Sequence, residues 1–225
     1  MVDHPTGKAP KKVVILGLGP TKLDFVNIMA SSGSDAIEFD EVWGVNTAGA
    51  CMRVDVSFAM DDYLYCRGKL TNQEKFFREH DGPIFTSVPR KDCPTALEYP
   101  LAEVLMLPGA RAWLNHTVPY MVAYAALIGV EELVIFGTDY IAGDARYGSP
   151  QEQSNLIPRY VGCTSFWLGL AAGRGMDIVV TPSSPLLGSD NHSIEDFYGY
   201  LVQPKVSYEA EPIKPHLVEK EQVNG

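Results

Sequence analysis

Nowhere in its 225 residues does the chain hold the unbroken apolar span of roughly 18 residues that a membrane-crossing helix needs. Positive charge is scarce: 18 lysines and arginines face 28 aspartates and glutamates, and no run of them forms. The resulting formal charge of −10 argues against a track for a nucleic-acid backbone, although a local basic pocket needs only a few donors. Cysteine is scarce as well. Cys51, Cys66, Cys93 and Cys163 lie far apart with no CxxC pair, so neither a zinc cluster nor a disulfide framework is expected, and the thiols read as reduced. The opening "MVDHPTGKAPKK" lacks the apolar core of a secretory signal. These absences together predict a soluble, cytoplasmic protein.

What is present is core-forming material: 46% hydrophobic and 10% aromatic residues, enough for one well-filled domain. Residues 1–10 read as a flexible arm and 11–202 as a single Rossmann-like nucleotide-binding catalytic domain. Residues 203–225 read as a tail rich in proline and charge. Val13–Leu16 is a continuous apolar run bounded by glycine, the pattern of a strand buried on both faces of a parallel sheet. A helix over Thr21–Ala30 follows, then strands in "FDEVWGVN" and "VDVSFAMDD", a solvated helix over Thr71–His80, and a short strand in "GPIFTSVP". Further on, "NHTVPYMVAYAALIGVEELVIFG" predicts caps, a small-residue helix with Pro119 near its first turn, Gly129 as its stop, and the strand Leu133–Phe136. "CTSFWLGLAAGRGMDIVVTPSS" repeats this grammar, with Thr164 or Ser165 as cap and Ile178–Val180 as strand. The alternation predicts an α/β fold, a doubly wound and mostly parallel sheet with helices on both faces.

The stretch "KKVVILGLGPTKLDF" carries the first chemical suggestion. Gly17 and Gly19 remove side chains where strand turns to helix, so backbone N–H groups can face an anion, with Lys22 in reach. The loop is neither a Walker A motif nor a complete GxGxxG, and a ligand-free tight turn would use the same glycines. Ligands in open parallel sheets bind beyond the carboxyl ends of the strands. Those ends carry Asn46 and Thr47, then Asp61 and Asp62, then Thr138, Asp139 and Tyr140. The helix entered by Asn115, His116 and Thr117 starts on the same rim. Polar groups of several kinds thus converge with the glycine loop.

"ILGLGPTKLDF", "VWGVN" and "HTVPYMVAYAALIGVEELVIFGTDY", in that order, resemble the bacterial sialyltransferases of the GT-A-like, metal-independent type. They also resemble the related motility-accessory and hydroxymethylpterin-diphosphokinase-like proteins. The resemblance spans roughly residues 12–147. It implies that Gly17 and Gly19 approach a nucleotide phosphate, with Pro20 and Thr21 completing the loop. It implies that Asn46 binds the donor, that Thr117 meets sugar or phosphate, and that Asp139 orients ribose or base. Tyr140 and Tyr147 match tyrosines that hydrogen-bond the departing phosphate. Leu18 replaces the asparagine usual between the glycines, which removes a donor contact.

A histidine base is implied downstream, where His192 in "GSDNHSIEDF" is the first candidate. His116 is its rival, because a helix start would keep its imidazole neutral. The expectation is therefore a transferase on a nucleotide-activated donor, a glycosyltransferase of sialyltransferase-like type, using a nucleotide-sugar and requiring no cofactor. Two alternatives stand beside it. One is a Mg²⁺-dependent diphosphokinase on a pterin-like acceptor, with Asp61, Asp62 or Asp139 on the metal. The other is a protein that binds a nucleotide without consuming it. A homodimer is compatible with all three, since Rossmann-like domains often pair.

Overall fold

The computed structural model describes residues 2–32, 38–61, 71–89, 91–141, 148–181 and 183–186. Seven parallel strands form one sheet: β1 (Lys12–Leu16), β2 (Glu41–Val45), β3 (Val56–Phe58), β4 (Ile84–Thr86), β5 (Ala96–Glu98), β6 (Glu132–Phe136) and β7 (Asp177–Val180). Their spatial order is β5-β4-β3-β2-β1-β6-β7. The chain walks outward from β1 to β5 and then returns to lay β6 against the other side of β1. The topological switch point of this doubly wound α/β fold therefore lies between the carboxyl ends of β1 and β6.

Side chains alternate across the sheet with the strand period of two. Val13, Ile15, Leu133 and Ile135 enter the larger core with Trp43, Phe58, Tyr124 and Trp167, whereas Val14, Leu16, Val134 and Phe136 join Phe25 on the opposite face. Helix α1 (Lys22–Ser32) covers that second face through Phe25. The larger core is covered by two others, α4 (Thr117–Ile128) and α5 (Pro150–Gly173). Between α1 and α4 in sequence come α2 (Thr71–Glu79) and the short α3 (Leu101–Leu105). Gly129 ends α4 in the left-handed conformation that glycine adopts freely, φ 81°.

Three expectations need correction. The helix before β7 does not begin at Thr164 or Ser165. It begins at Pro150, where Ser149 and Glu152 form a reciprocal capping box, and runs through Pro158 and Thr164. Helix α2 is not wholly solvated, because Phe76 and Phe77 are buried against Ile84 and Cys93. The arm expected over residues 1–10 is anchored: His4 is 6% exposed and bonds Glu41 Oε2 at 2.9 Å and the Tyr124 hydroxyl at 3.1 Å. Glu41 also accepts from Trp43 Nε1 at 2.7 Å and from the Thr6 hydroxyl. The proline- and charge-rich tail lies outside the described residues.

Candidate functional site at the carboxyl edge

The glycine loop turns from strand to helix at the switch point, but its amides at Gly17, Gly19 and Thr21 are turned inward. Gly17 N donates to Phe136 O at 2.8 Å and Gly19 N to Gly137 O at 2.7 Å. Thr21 N donates to Asp139 Oδ2 at 2.8 Å, the Thr21 hydroxyl donates to Asp139 Oδ1, and Gly137 N donates to the Thr21 hydroxyl at 2.8 Å. A buried carboxylate of the protein thus caps α1 at the place where a phosphate was expected. The glycines serve close packing of two backbones. A Cβ on Gly17 would overlap the Gly137 carbonyl, and one on Gly19 would overlap the Asp139 carboxylate. Lys22 folds back onto Leu18 O at 3.1 Å, Pro20 is exposed, and the Thr138 hydroxyl is buried with no hydrogen-bond partner.

The rim next to this loop carries a second arrangement. Asn46 and Tyr140, at the ends of β2 and β6, both have left-handed backbones, φ 53° and 48°. Asparagine tolerates that conformation, whereas an aromatic residue in it costs about 1–3 kcal/mol and marks a position fixed by its surroundings. Asn46 Oδ1 accepts from the Thr117 hydroxyl at 3.0 Å, and Asn46 Nδ2 donates to Asp61 Oδ2 at 3.3 Å. Burial raises the Asp61 carboxyl above its ordinary range, and the Asn46 contact partly reverses this. Thr47 follows Asn46 in the 3₁₀ turn Asn46–Ala50.

His116, the residue before α4, joins the cluster from the other side. Its Nδ1 lies 2.8 Å from Asn115 Oδ1, an oxygen that only accepts, so Nδ1 carries the proton. Nε2 is then an acceptor, and it receives the Tyr140 hydroxyl. Thr164 Oγ1, from the middle of α5, lies 2.8 Å from that hydroxyl and 3.1 Å from Nε2. Tyr160, one turn earlier on α5, packs its ring 4.6 Å from the imidazole. Burial pushes the His116 pKa down to about 3, so the ring is neutral throughout the physiological range. The N-cap residue His116 makes no side-chain bond to the first turn of α4, whose amino end is thus an uncapped helix start on this rim among the described residues.

Asn46–Thr117 and His116–Tyr140 are therefore two hydrogen-bonded pairs at one edge, joined by the peptide bond between His116 and Thr117, with Thr138 and Asp139 just before Tyr140 in sequence. His192, Tyr147 and Asp62 lie outside the described residues. Among the described residues no group of three His, Cys, Asp or Glu side chains gathers as a metal site. Nor does any described helix have the length and apolarity to cross a membrane. Tyr160, Thr164 and Asn115 were not singled out as site residues. The signal for the first two is their i, i+4 spacing on a helix, which a cap at Thr164 would exclude. Compared with protein-family models, with curated proteins and with solved structures, the chain matches none.

Proposed function

We propose that the protein is a transferase acting on a nucleotide-activated donor, a glycosyltransferase of sialyltransferase-like type. One observation carries this reading: Asn46–Thr117 and His116–Tyr140 are hydrogen-bonded pairs side by side at the carboxyl edge of a parallel sheet, flanking an uncapped helix start. That edge is where open α/β folds hold nucleotides. The donor phosphate is assigned to the amino end of α4 and the Asn46 amide rather than to the glycine loop, whose amides are already engaged.

In the proposed reaction an acceptor hydroxyl oxygen bonds to the anomeric carbon of the donor as the bond from that carbon to the phosphate oxygen breaks. The electron pair leaves with the phosphate. The acceptor proton passes to His116 Nε2, directly or through the Tyr140 hydroxyl. A ring with so low a pKa accepts this proton only as negative charge departs with the phosphate, so proton transfer and bond cleavage are concerted. The Tyr140 and Thr117 hydroxyl protons are held by His116 Nε2 and Asn46 Oδ1, so the donors to the oxygens that gain charge are the second Asn46 Nδ2 proton, beyond the one on Asp61, and the N–H groups at the amino end of α4.

The test is incubation of the purified chain with CMP-, UDP- and GDP-activated sugars, with and without EDTA, following nucleotide release and calorimetric binding. Release that persists in EDTA and falls roughly 100-fold in Asn46→Ala and Tyr140→Phe supports the reading. Tight binding of a nucleotide with no release indicates sequestration instead, and activity abolished by EDTA points to metal-dependent phosphoryl chemistry. Neither binding nor release with any donor ends it.

A further inference from the structure

Behind the His116 cluster the surface opens into a cleft of about 490 Å³ lined by Trp113, Asn115, Arg159, Gly162 and Cys163, with Ala112 and Leu114 at its side. Its geometry follows from helix periodicity. Tyr160 and Thr164 form one i, i+4 stripe of α5 facing His116, and Arg159, Gly162 and Cys163 form the adjoining stripe facing the cleft. Asn115 belongs to both places, bonding the imidazole at 2.8 Å and lining the cleft.

Three properties identify what such a cleft would hold. Among the described residues its charged lining residue is a cation, Arg159, and no carboxylate lines it, in a chain whose acidic residues outnumber the basic ones 28 to 18. Its wall carries Trp113, 55% exposed yet fixed in place: the ring packs edge-on against Phe166 at 4.7 Å, and Trp113 O accepts from Trp167 Nε1 at 3.0 Å. Its floor is open, since a side chain at Gly162 would meet nothing within 4 Å. The thiol of Cys163 is an unsuitable nucleophile. Burial raises its pKa, and the opposing effects of the Asn115 amide and Arg159 do not cancel this.

We propose that this cleft binds an anionic ring compound, a sugar bearing a carboxylate or phosphate, with the ring face on Trp113, the anion on Arg159 and ring hydroxyls on Asn115. A rigid aromatic platform supplies area at low entropic cost, and a guanidinium recognises carboxylate and phosphate through paired N–H donors. That this ligand is the acceptor rests on the transferase reading above. That it binds does not.

The protein carries its own reporter, because Trp43 and Trp167 are fully buried and Trp113 is the exposed member of the three tryptophans. Intrinsic fluorescence of the full chain is titrated with glucuronic acid and glucose 6-phosphate (ring and charge), glucose (ring alone) and inorganic phosphate (charge alone). The expected result is a saturable change with at least one of the two anionic sugars, at least ~10-fold tighter than with glucose or phosphate. Arg159→Gln weakens it by ~10-fold or more, and Trp113→Phe abolishes the signal. No saturable change with either anionic sugar, equal affinity for glucose, an unchanged Arg159→Gln titration, or a signal surviving Trp113→Phe overturns the proposal. Sugar binding without nucleotide-sugar turnover would leave the cleft standing and remove the transferase. Turnover without any change at Trp113 would do the reverse.

Discussion

Thr21 and Asp139, 118 residues apart, are joined twice: the Thr21 amide donates to one carboxylate oxygen at 2.8 Å and its hydroxyl donates to the other. This pair fastens the start of α1 to the end of β6 across the switch point. It turns the loop most suggestive of a phosphate cradle into part of the fold's own framework.

Asp139→Ala is therefore expected to act on stability. It leaves the Thr21 amide and hydroxyl without their buried acceptor, at a cost of about 2–4 kcal/mol in urea denaturation. Asp139→Asn, which keeps one acceptor oxygen, loses less. If Asp139→Ala keeps full stability and loses only ligand binding, the carboxylate serves the ligand and not the helix.

The glycines make a complementary prediction. Gly17→Ala and Gly19→Ala force a Cβ into the Gly137 carbonyl or the Asp139 carboxylate, and each is expected to cost at least ~2 kcal/mol. Gly169→Ala, in α5 with nothing within 4 Å of the added methyl, is expected to gain roughly 1 kcal/mol from helix propensity. Thermal midpoints should move in opposite directions.

His116 predicts an acid-sensitive fold. Burial lowers its pKa from 6.5 to about 3, so below pH 6.5 the unfolded chain takes up a proton that the folded chain refuses. Stability thus falls as pH drops from 6.5 toward 3, by up to about 1.4 kcal/mol per pH unit from this residue. Among the described residues the groups facing the ring are Asn115, Tyr140, Tyr160 and Thr164, none of them a carboxylate. His116→Gln should flatten the pH dependence of the urea midpoint in that window, and an unchanged slope would mean that the ring is hydrated.

At the opposite end of the sheet, Glu41 predicts an acid limb of its own. Burial raises its pKa, but hydrogen bonds from His4, Thr6 and Trp43 outweigh burial and bring it below the ordinary 4.5. Its contribution is present above pH 4.5 and disappears as the pH falls through the lower folded value. His4→Ala should cost about 1.5–3 kcal/mol at neutral pH by taking one of three donors from a buried carboxylate, leaving Thr6 and Trp43, and should diminish that acid limb.

Much of the architecture was legible from local pattern. The run Val13–Leu16, the Gly129 stop and the strand ends at Asn46, Asp61 and Tyr140 are written in hydrophobic period and turn chemistry, which act over a few residues. The start of α5 is written in the Ser-Pro-Gln-Glu capping box, but Thr164 and Ser165 offer a competing cap further along the chain. The strand β5 was not legible. Only three residues long at the sheet edge and largely exposed, it offers too little periodicity to read.

By itself, then, the amino-acid order determined six of the seven strands, the longer helices apart from where α5 begins, and which polar residues stand where those strands end. Only the tertiary structure decided which of those residues meet. It gave the Thr21 amide to Asp139, brought Thr164 and Tyr160 onto His116, and seated His4 on Glu41. The reason is physical: periodicity and capping are set by near neighbours, whereas a buried polar atom is satisfied by whatever the packing of distant elements carries to it.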